Sequence, residues 1–183
     1  MKKNVSILLL LILVNLTACA QKNEVMNNSN SKSLVVYFSA TGTTEKVAKK
    51  LATIAGADLF KINPQKPYSS ADLNWHDKQS RSSVEMNDPK ARPTMLENVS
   101  NMTDYEVVYI GFPIWWYEAP RIINTFIENN NLEGKELYVF ATSGGSTIDN
   151  SWGQLKKNYP NLLWKDAKLL NHASETLLKE WVK

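Results

Sequence analysis

Cysteine is nearly absent from this chain: one residue, Cys19, among 183. A single thiol excludes an internal disulfide and any metal centre built on several cysteines. His76 and His172 have no histidine or cysteine neighbour at metal-ligand spacing, and both are expected at the surface. Glycine is also scarce, with 7 residues, and none of them builds a G-x-G-x-x-G, a G-x-S-x-G or a GxxxxGK[ST] pattern. A dinucleotide fingerprint, a hydrolase nucleophile elbow and a nucleoside triphosphate cradle are thereby excluded. No apolar run reaches the roughly 20 residues of a membrane-spanning helix. A surplus of one charge is missing too. Without Lys2 and Lys3 the basic count falls from 21 to 19 against 18 acidic residues, a net charge of about +1. That balance favours neither nucleic acid nor an anionic membrane surface.

What the chain does have begins with an address. In MKKNVSILLLLILVNLTAC, Lys2 and Lys3 precede an apolar stretch from Ile7 to Val14, and small residues lead to Cys19. This is a signal-peptide layout. Leu16-Thr17-Ala18-Cys19 resembles the lipobox of bacterial lipoproteins, in which cleavage exposes a cysteine that is then acylated. The alternative is a cleaved secretory signal with an incidental cysteine. The lipoprotein reading predicts a signal peptide over 1–18, then a lipidated Cys19 with a polar, asparagine-rich tether over 19–32. It also predicts a single folded domain over 33–183, held on a bacterial membrane outside the cytoplasm.

Within that domain, LVVYF (34–38) has the continuous apolar, β-branched character of a strand buried on both faces. Val47, Leu51 and Ile54 fall on one helical stripe, and Gly56 is placed to close the helix. ADLFKI (57–62), VVYIGF (107–112) and ELYVFAT (136–142) predict three further strands, with a weaker fifth near AKLLN (167–171). Helices are predicted after Pro120, with Ile122, Ile123, Phe126 and Ile127 inward, and over 150–159 and 174–182. The connection over 64–104 is longer than a crossover requires. One or two helices are expected in 69–86, capped by Ser69 or Ser70, with Arg81 and Glu85 as a surface pair. Its evenly balanced charges suggest a solvated excursion, and a role in partner or substrate choice is the alternative. Regular alternation of strand and helix means an α/β fold with a parallel sheet covered on both faces. Ligands of such sheets bind at the carboxyl ends of the strands, so the loops after strands one, three and four carry the functional expectation.

All three loops are unusual. The first, Ser39-Ala40-Thr41-Gly42-Thr43-Thr44, offers four hydroxyls and a flexible glycine at a helix N-terminus, where an anion is attracted. It contains no lysine, which suits a phosphate monoester better than a triphosphate with magnesium. The second, Pro113-Ile114-Trp115-Trp116-Tyr117, sets three aromatics in a row where a flat conjugated ring can stack, one tryptophan being expected to pack inward instead. The third, Ser143-Gly144-Gly145-Ser146, is expected to leave backbone N–H groups bare for a ring carbonyl or nitrogen. Together they describe a site for a phosphorylated flat heterocycle.

On these residues the chain resembles the flavodoxin-like family over essentially all of 33–183. Ser39, Thr41, Gly42 and Thr44 match the family's phosphate loop, hydroxyl-x-Thr-Gly-x-Thr. Gly111 to Trp116 matches the loop whose tryptophan stacks on the flavin, Trp115 being the nearest positional equivalent, and Ser143 to Ser146 stands where a loop brackets the pyrimidine end of the ring. The resemblance implies a doubly wound three-layer fold with a five-stranded parallel sheet in the order 2-1-3-4-5. It further implies non-covalent FMN, electron transfer with a redox partner protein or small acceptor, and the short-chain kind.

Two departures qualify what the resemblance implies. TSGGSTIDNS offers no aromatic before Trp152, so Trp116, Tyr117, Tyr68 or Trp75 must cover the second flavin face, or it stays open. An open face would favour an NAD(P)H-dependent FMN reductase acting on quinones or other small acceptors. The domain is also nearly neutral where electron-carrying flavodoxins are usually acidic, so a less negative reduction potential is expected. A reading from another class keeps the fold without redox chemistry: a surface lipoprotein that binds some other flat or phosphorylated ligand.

Overall fold

The computed structural model describes residues 32–182, and both Cys19 and the expected signal peptide lie outside them. The strands are β1 (Lys32–Tyr37), β2 (Asp58–Lys61), β3 (Tyr105–Pro113), β4 (Glu136–Thr142) and β5 (Leu163–Leu169). They form one parallel sheet in the order β2-β1-β3-β4-β5, the arrangement the resemblance implies. The helices are α1 (Thr43–Ala55), α2 (Arg81–Asn87), α3 (Arg121–Asn129), α4 (Asp149–Asn158) and α5 (Glu175–Trp181). None of them is long and apolar enough to cross a membrane.

Alternation along the central strands builds two cores, because successive side chains point to opposite faces of a sheet. Leu34, Val36, Val108, Ile110, Leu137 and Val139 pack with Ile122, Ile123 and Phe126 of α3 and Leu155 of α4. Val35, Tyr37, Val107, Tyr109, Tyr138 and Phe140 pack on the other face, with Leu51 of α1 and Leu178 and Trp181 of α5. Gly56 ends α1 in the left-handed conformation, φ 59°, as its position predicts.

Three expectations need correction. Strand β1 begins at Lys32, inside the predicted tether, where Lys32 pairs with Tyr105 and its ammonium lies 2.9 Å from Asp58. Strand β5 begins at Leu163, earlier than the predicted 167–171. It is an edge strand paired only with β4, and its residues are exposed or half-buried, so Lys165, Asp166 and Lys168 interrupt the apolar run that marks a central strand. In the long connection only α2 is an α-helix, and its cap is Ser80, whose hydroxyl accepts from the Ser83 N–H at 3.3 Å. Ser69 caps a turn closed by Asp72 instead, and the side chains of Asn74 and Asp77 accept from the N–H groups of His76 and Gln79. Such local bonds offer the backbone an alternative to a helix.

Candidate functional site

The register of the sheet brings the three suspect loops together. Tyr37 lies beside Gly111, Gly111 beside Phe140, and Pro113 beside Thr142, so the chain leaves β1, β3 and β4 at neighbouring points of one sheet end. Because β2 and β3 flank β1 on opposite sides, the connections diverge there and open a crevice. A cavity of about 470 Å³ occupies it. Of the residues predicted from the sequence, Ala40, Thr41, Pro113, Ile114, Trp115, Trp116, Tyr117 and Ser146 line it. Ser39, Gly42, Thr43, Thr44, Ser143, Gly144 and Gly145 belong to the same loops but do not line it.

The loop after β1 has the form of an anion cradle. Gly42 is left-handed, φ 87°, and no side chain caps α1, so the first N–H groups of the helix keep no protein partner at the cap. The Gly42 N–H donates to Ser39 Oγ at 3.1 Å, which fixes the turn, and Thr41 and Thr43 are exposed. Thr44 departs from expectation. Its side chain is fully buried and its hydroxyl shares a 2.8 Å bond with the hydroxyl of Thr142. That bond ties the first turn of α1 to the end of β4, and what Thr44 offers an anion is its backbone N–H.

The loop after β3 carries a feature with no signal in the sequence. Trp115 and Glu118 exchange backbone hydrogen bonds of 3.0 and 2.9 Å, closing a two-residue turn over Trp116 and Tyr117. Both central residues are left-handed, with φ 46° and 67°. A two-residue turn with positive φ at both positions normally takes Asn-Gly or Gly-Gly, and a bulky residue there stores on the order of 1–3 kcal/mol. The surroundings hold it in place. Asn150 Nδ2 and Ser151 Oγ, at the start of α4, donate to the Tyr117 carbonyl at 3.0 and 2.9 Å. The buried Arg121 reaches Glu118 at 2.7 Å and the Met86 carbonyl at 2.8 Å, joining the turn to α2.

This turn gives the two tryptophans opposite surroundings. Trp115 packs edge-on against Phe38 and Tyr68, with ring centroids 5.6 and 5.3 Å away. Tyr68 is itself engaged: the Arg81 guanidinium lies 4.0 Å over its ring, and its hydroxyl donates to Glu85. Burial and the Glu85 carboxylate raise the Tyr68 pKa far above the usual phenol range. Arg81 and Glu85 are bonded at 2.6 Å and mostly covered, 19% and 14% exposed, so they form part of this stack and not the expected surface pair. Trp116 and Tyr117 remain 40% and 66% exposed at the cavity.

The loop after β4 corrects a second expectation. The Ser143 hydroxyl accepts from the N–H groups of Gly145 and Ser146 at 3.2 and 2.8 Å, so two donors that the sequence suggested were bare are taken within the loop. Asn171 clamps the Ser143 backbone from both sides, at 2.8 and 2.7 Å. Only Ser146 of this loop lines the cavity.

Leu73, Trp75 and Ser82 of the long connection complete the lining, and of these only Trp75 was anticipated, as one of four aromatics offered for the second ring face. A tryptophan set within the polar stretch SSADLNWHDKQ was the available signal. Among the described residues no cluster of histidine, cysteine, aspartate or glutamate could hold a metal ion.

Comparison with known proteins decides the family. A family model described as flavodoxin matches residues 32–183, which include every described residue. The chain belongs to the flavodoxin family. A candidate flavoprotein from Bacteroides eggerthii DSM 20697 is 58% identical, with TM-score 0.82 over 83% of this flavodoxin-family chain and 96% of its own. Another from Bacteroides uniformis ATCC 8492 is 51% identical, with TM-score 0.80 over 82% and 97% of the two chains. A flavoprotein from Lactobacillus acidophilus NCFM, solved in complex with FMN, shares the fold at 19% identity, with TM-score 0.67 over 84% and 99%. No curated protein matches significantly.

Proposed function

We propose that this flavodoxin-family chain binds FMN non-covalently in the cavity over β1, β3 and β4 and carries electrons outside the cytoplasm, anchored to a membrane through an acylated Cys19. The observation that carries the reading is the strained turn that holds Trp116 and Tyr117 out at the mouth of that cavity. Large aromatic rings left at an open site are costly to hydrate, and they suit a ligand that presents a flat conjugated face.

The residues present fit the group. A volume of about 470 Å³ falls within the range of cofactor pockets. The uncapped N-terminus of α1, the exposed Thr41 and Thr43 and the left-handed Gly42 form a neutral donor set suited to the ribityl phosphate monoester. Trp116 is the ring free to stack on the isoalloxazine, since Trp115 is packed against Phe38 and Tyr68. Ser146, from the loop after β4, also lines the cavity. The Lactobacillus flavoprotein of the same fold binds FMN, which supports the same ligand here. Bound FMN would supply one- or two-electron exchange with a redox partner protein or small acceptor. The chain's own residues bind and orient it: the helix N-terminus fixes the phosphate, and Trp116 excludes water from one ring face.

An absorption spectrum of the purified full chain tests this reading. It should show bound flavin, either on purification or after adding FMN and removing the excess. A chain that stays colourless after this treatment would reject it.

A further inference from the structure

We infer that Trp75, from the connection between β2 and β3, is the second aromatic wall of the cofactor site and covers the ring face that Trp116 leaves open. The inference rests on the FMN reading above. It starts from an anomaly: Trp75 is 67% exposed, the most exposed large apolar side chain among the described residues, yet it lines the same cavity as Trp116. Its ring is stacked on His76, with centroids 3.5 Å apart and planes 33° apart, and most of the side chain nevertheless stays exposed. The backbone beneath it is fixed by consecutive tight turns. Asn74 N–H donates to the Ala71 carbonyl, the His76 N–H to Asn74 Oδ1 and the Asp77 N–H to the Asn74 carbonyl, at 3.2, 3.2 and 3.0 Å. Leu73 from the same turns also reaches the cavity, so this segment supplies an apolar surface and not a lone ring.

The other candidates for that wall are engaged elsewhere. Tyr68 is half-buried, held between Arg81 and Trp115 with its hydroxyl on Glu85. The loop after β4 has no aromatic before Trp152, and Trp152 packs edge-on against Trp164 at 5.7 Å, beneath Lys156. Tyr117 belongs to the same turn as Trp116 and approaches the cavity from the same segment. Among the described residues that leaves Trp75 as the aromatic that reaches this cavity from a segment other than the loop after β3. A flat ring held between indoles from two separate segments would be gripped more firmly, and more strongly quenched, than one stacked on Trp116 alone.

Flavin fluorescence titration of the detergent-solubilised, FMN-stripped full chain tests the assignment, with wild type, Trp75→Ala and Trp75→Phe compared. Trp75→Ala should weaken FMN by about tenfold and leave the bound flavin brighter, following the usual contribution of one aromatic stacking partner. Lumiflavin, the ring without the phosphate chain, should lose affinity by a similar factor. Because Trp75 is largely exposed, thermal unfolding of the variant without ligand should match the wild type. Trp75→Phe keeps a flat ring and should bind closer to wild type than to Trp75→Ala. Equal affinity and equal quenching in Trp75→Ala and wild type would overturn the inference while leaving FMN binding intact. A Phe variant as weak as the Ala variant would overturn ring stacking as the cause. A wild type that takes up no FMN would overturn the proposed function itself.

Discussion

The loops after β3 and β4 leave neighbouring strands at the same end of the sheet, Pro113 beside Thr142, yet they solve opposite problems. The loop after β4 has two glycines and does not use their conformational freedom. Gly144 and Gly145 adopt no positive φ, face open space, and sit in a turn whose donors close on Ser143. The loop after β3 has no glycine where it needs one. It sets Trp116 and Tyr117 in left-handed conformations and relies on Asn150, Ser151 and Arg121 to hold them there. Strain of this kind persists only where the surroundings over-determine it, and it accumulates at sites that must present a group in a fixed pose. The loop richer in turn residues is therefore the passive one, and the loop that breaks the turn rules displays the site.

The comparison can be broken most severely at its base. Gly111 ends the paired part of β3 beside β1, and an added Cβ would stand 2.0 Å from the Phe140 ring, which is fully buried. Gly111→Ala should cost about 3 kcal/mol, at or above the usual range for overpacking a core, as read by urea unfolding of the ligand-free protein. A loss under about 0.5 kcal/mol would mean that Phe140 yields freely. Next in size comes the tryptophan pair, whose effects should separate. Trp115→Ala should lower stability by about 2–3 kcal/mol, because it removes packing against Phe38 and Tyr68. Trp116→Ala should leave unfolding nearly unchanged and weaken FMN by roughly 1–3 kcal/mol, read by fluorescence titration. The reverse outcome would return the stacking role to Trp115.

A smaller effect is expected in the cradle. Thr41→Val removes one exposed hydroxyl and should weaken FMN by about 1.5 kcal/mol, the lower end for a charge-assisted bond, while riboflavin, without the phosphate, should be unaffected. An equal loss for both ligands would place the phosphate elsewhere. The smallest effect belongs to the passive loop. Gly145→Ala should change stability by under about 0.5 kcal/mol, since nothing lies within 4 Å of the added methyl. A loss of several kcal/mol would show that the loop depends on glycine after all.

The sheet was legible in the sequence wherever burial was two-sided. LVVYF, VVYIGF and ELYVFAT are central strands, and continuous apolar runs can hardly be anything else in an alternating chain. At the edges legibility was uneven: β2 could be read from ADLFKI, but it failed for β5, which needs apolar residues on fewer faces and carries Lys165, Asp166 and Lys168. It failed again in the long connection, where Asp72, Asn74 and Asp77 turn the backbone by local hydrogen bonds and leave α2 to Ser80. The site was legible as a meeting of three loops. The finer roles were not, because they depend on contacts distant in the chain: Thr142 occupies the Thr44 hydroxyl, and Tyr68 takes up Trp115. Nothing in Trp-Trp-Tyr-Glu announces a left-handed turn, since the groups that hold it come from α4 and from Arg121.

The most direct test is a paired titration of the FMN-stripped full chain with FMN and with riboflavin, followed by absorbance and fluorescence. If the cavity grips a flat ring and the N-terminus of α1 grips its phosphate, FMN binds one to one with quenched emission, and riboflavin binds at least tenfold more weakly. If neither flavin binds, or both bind equally, the three loops do not act on one ligand and the account fails.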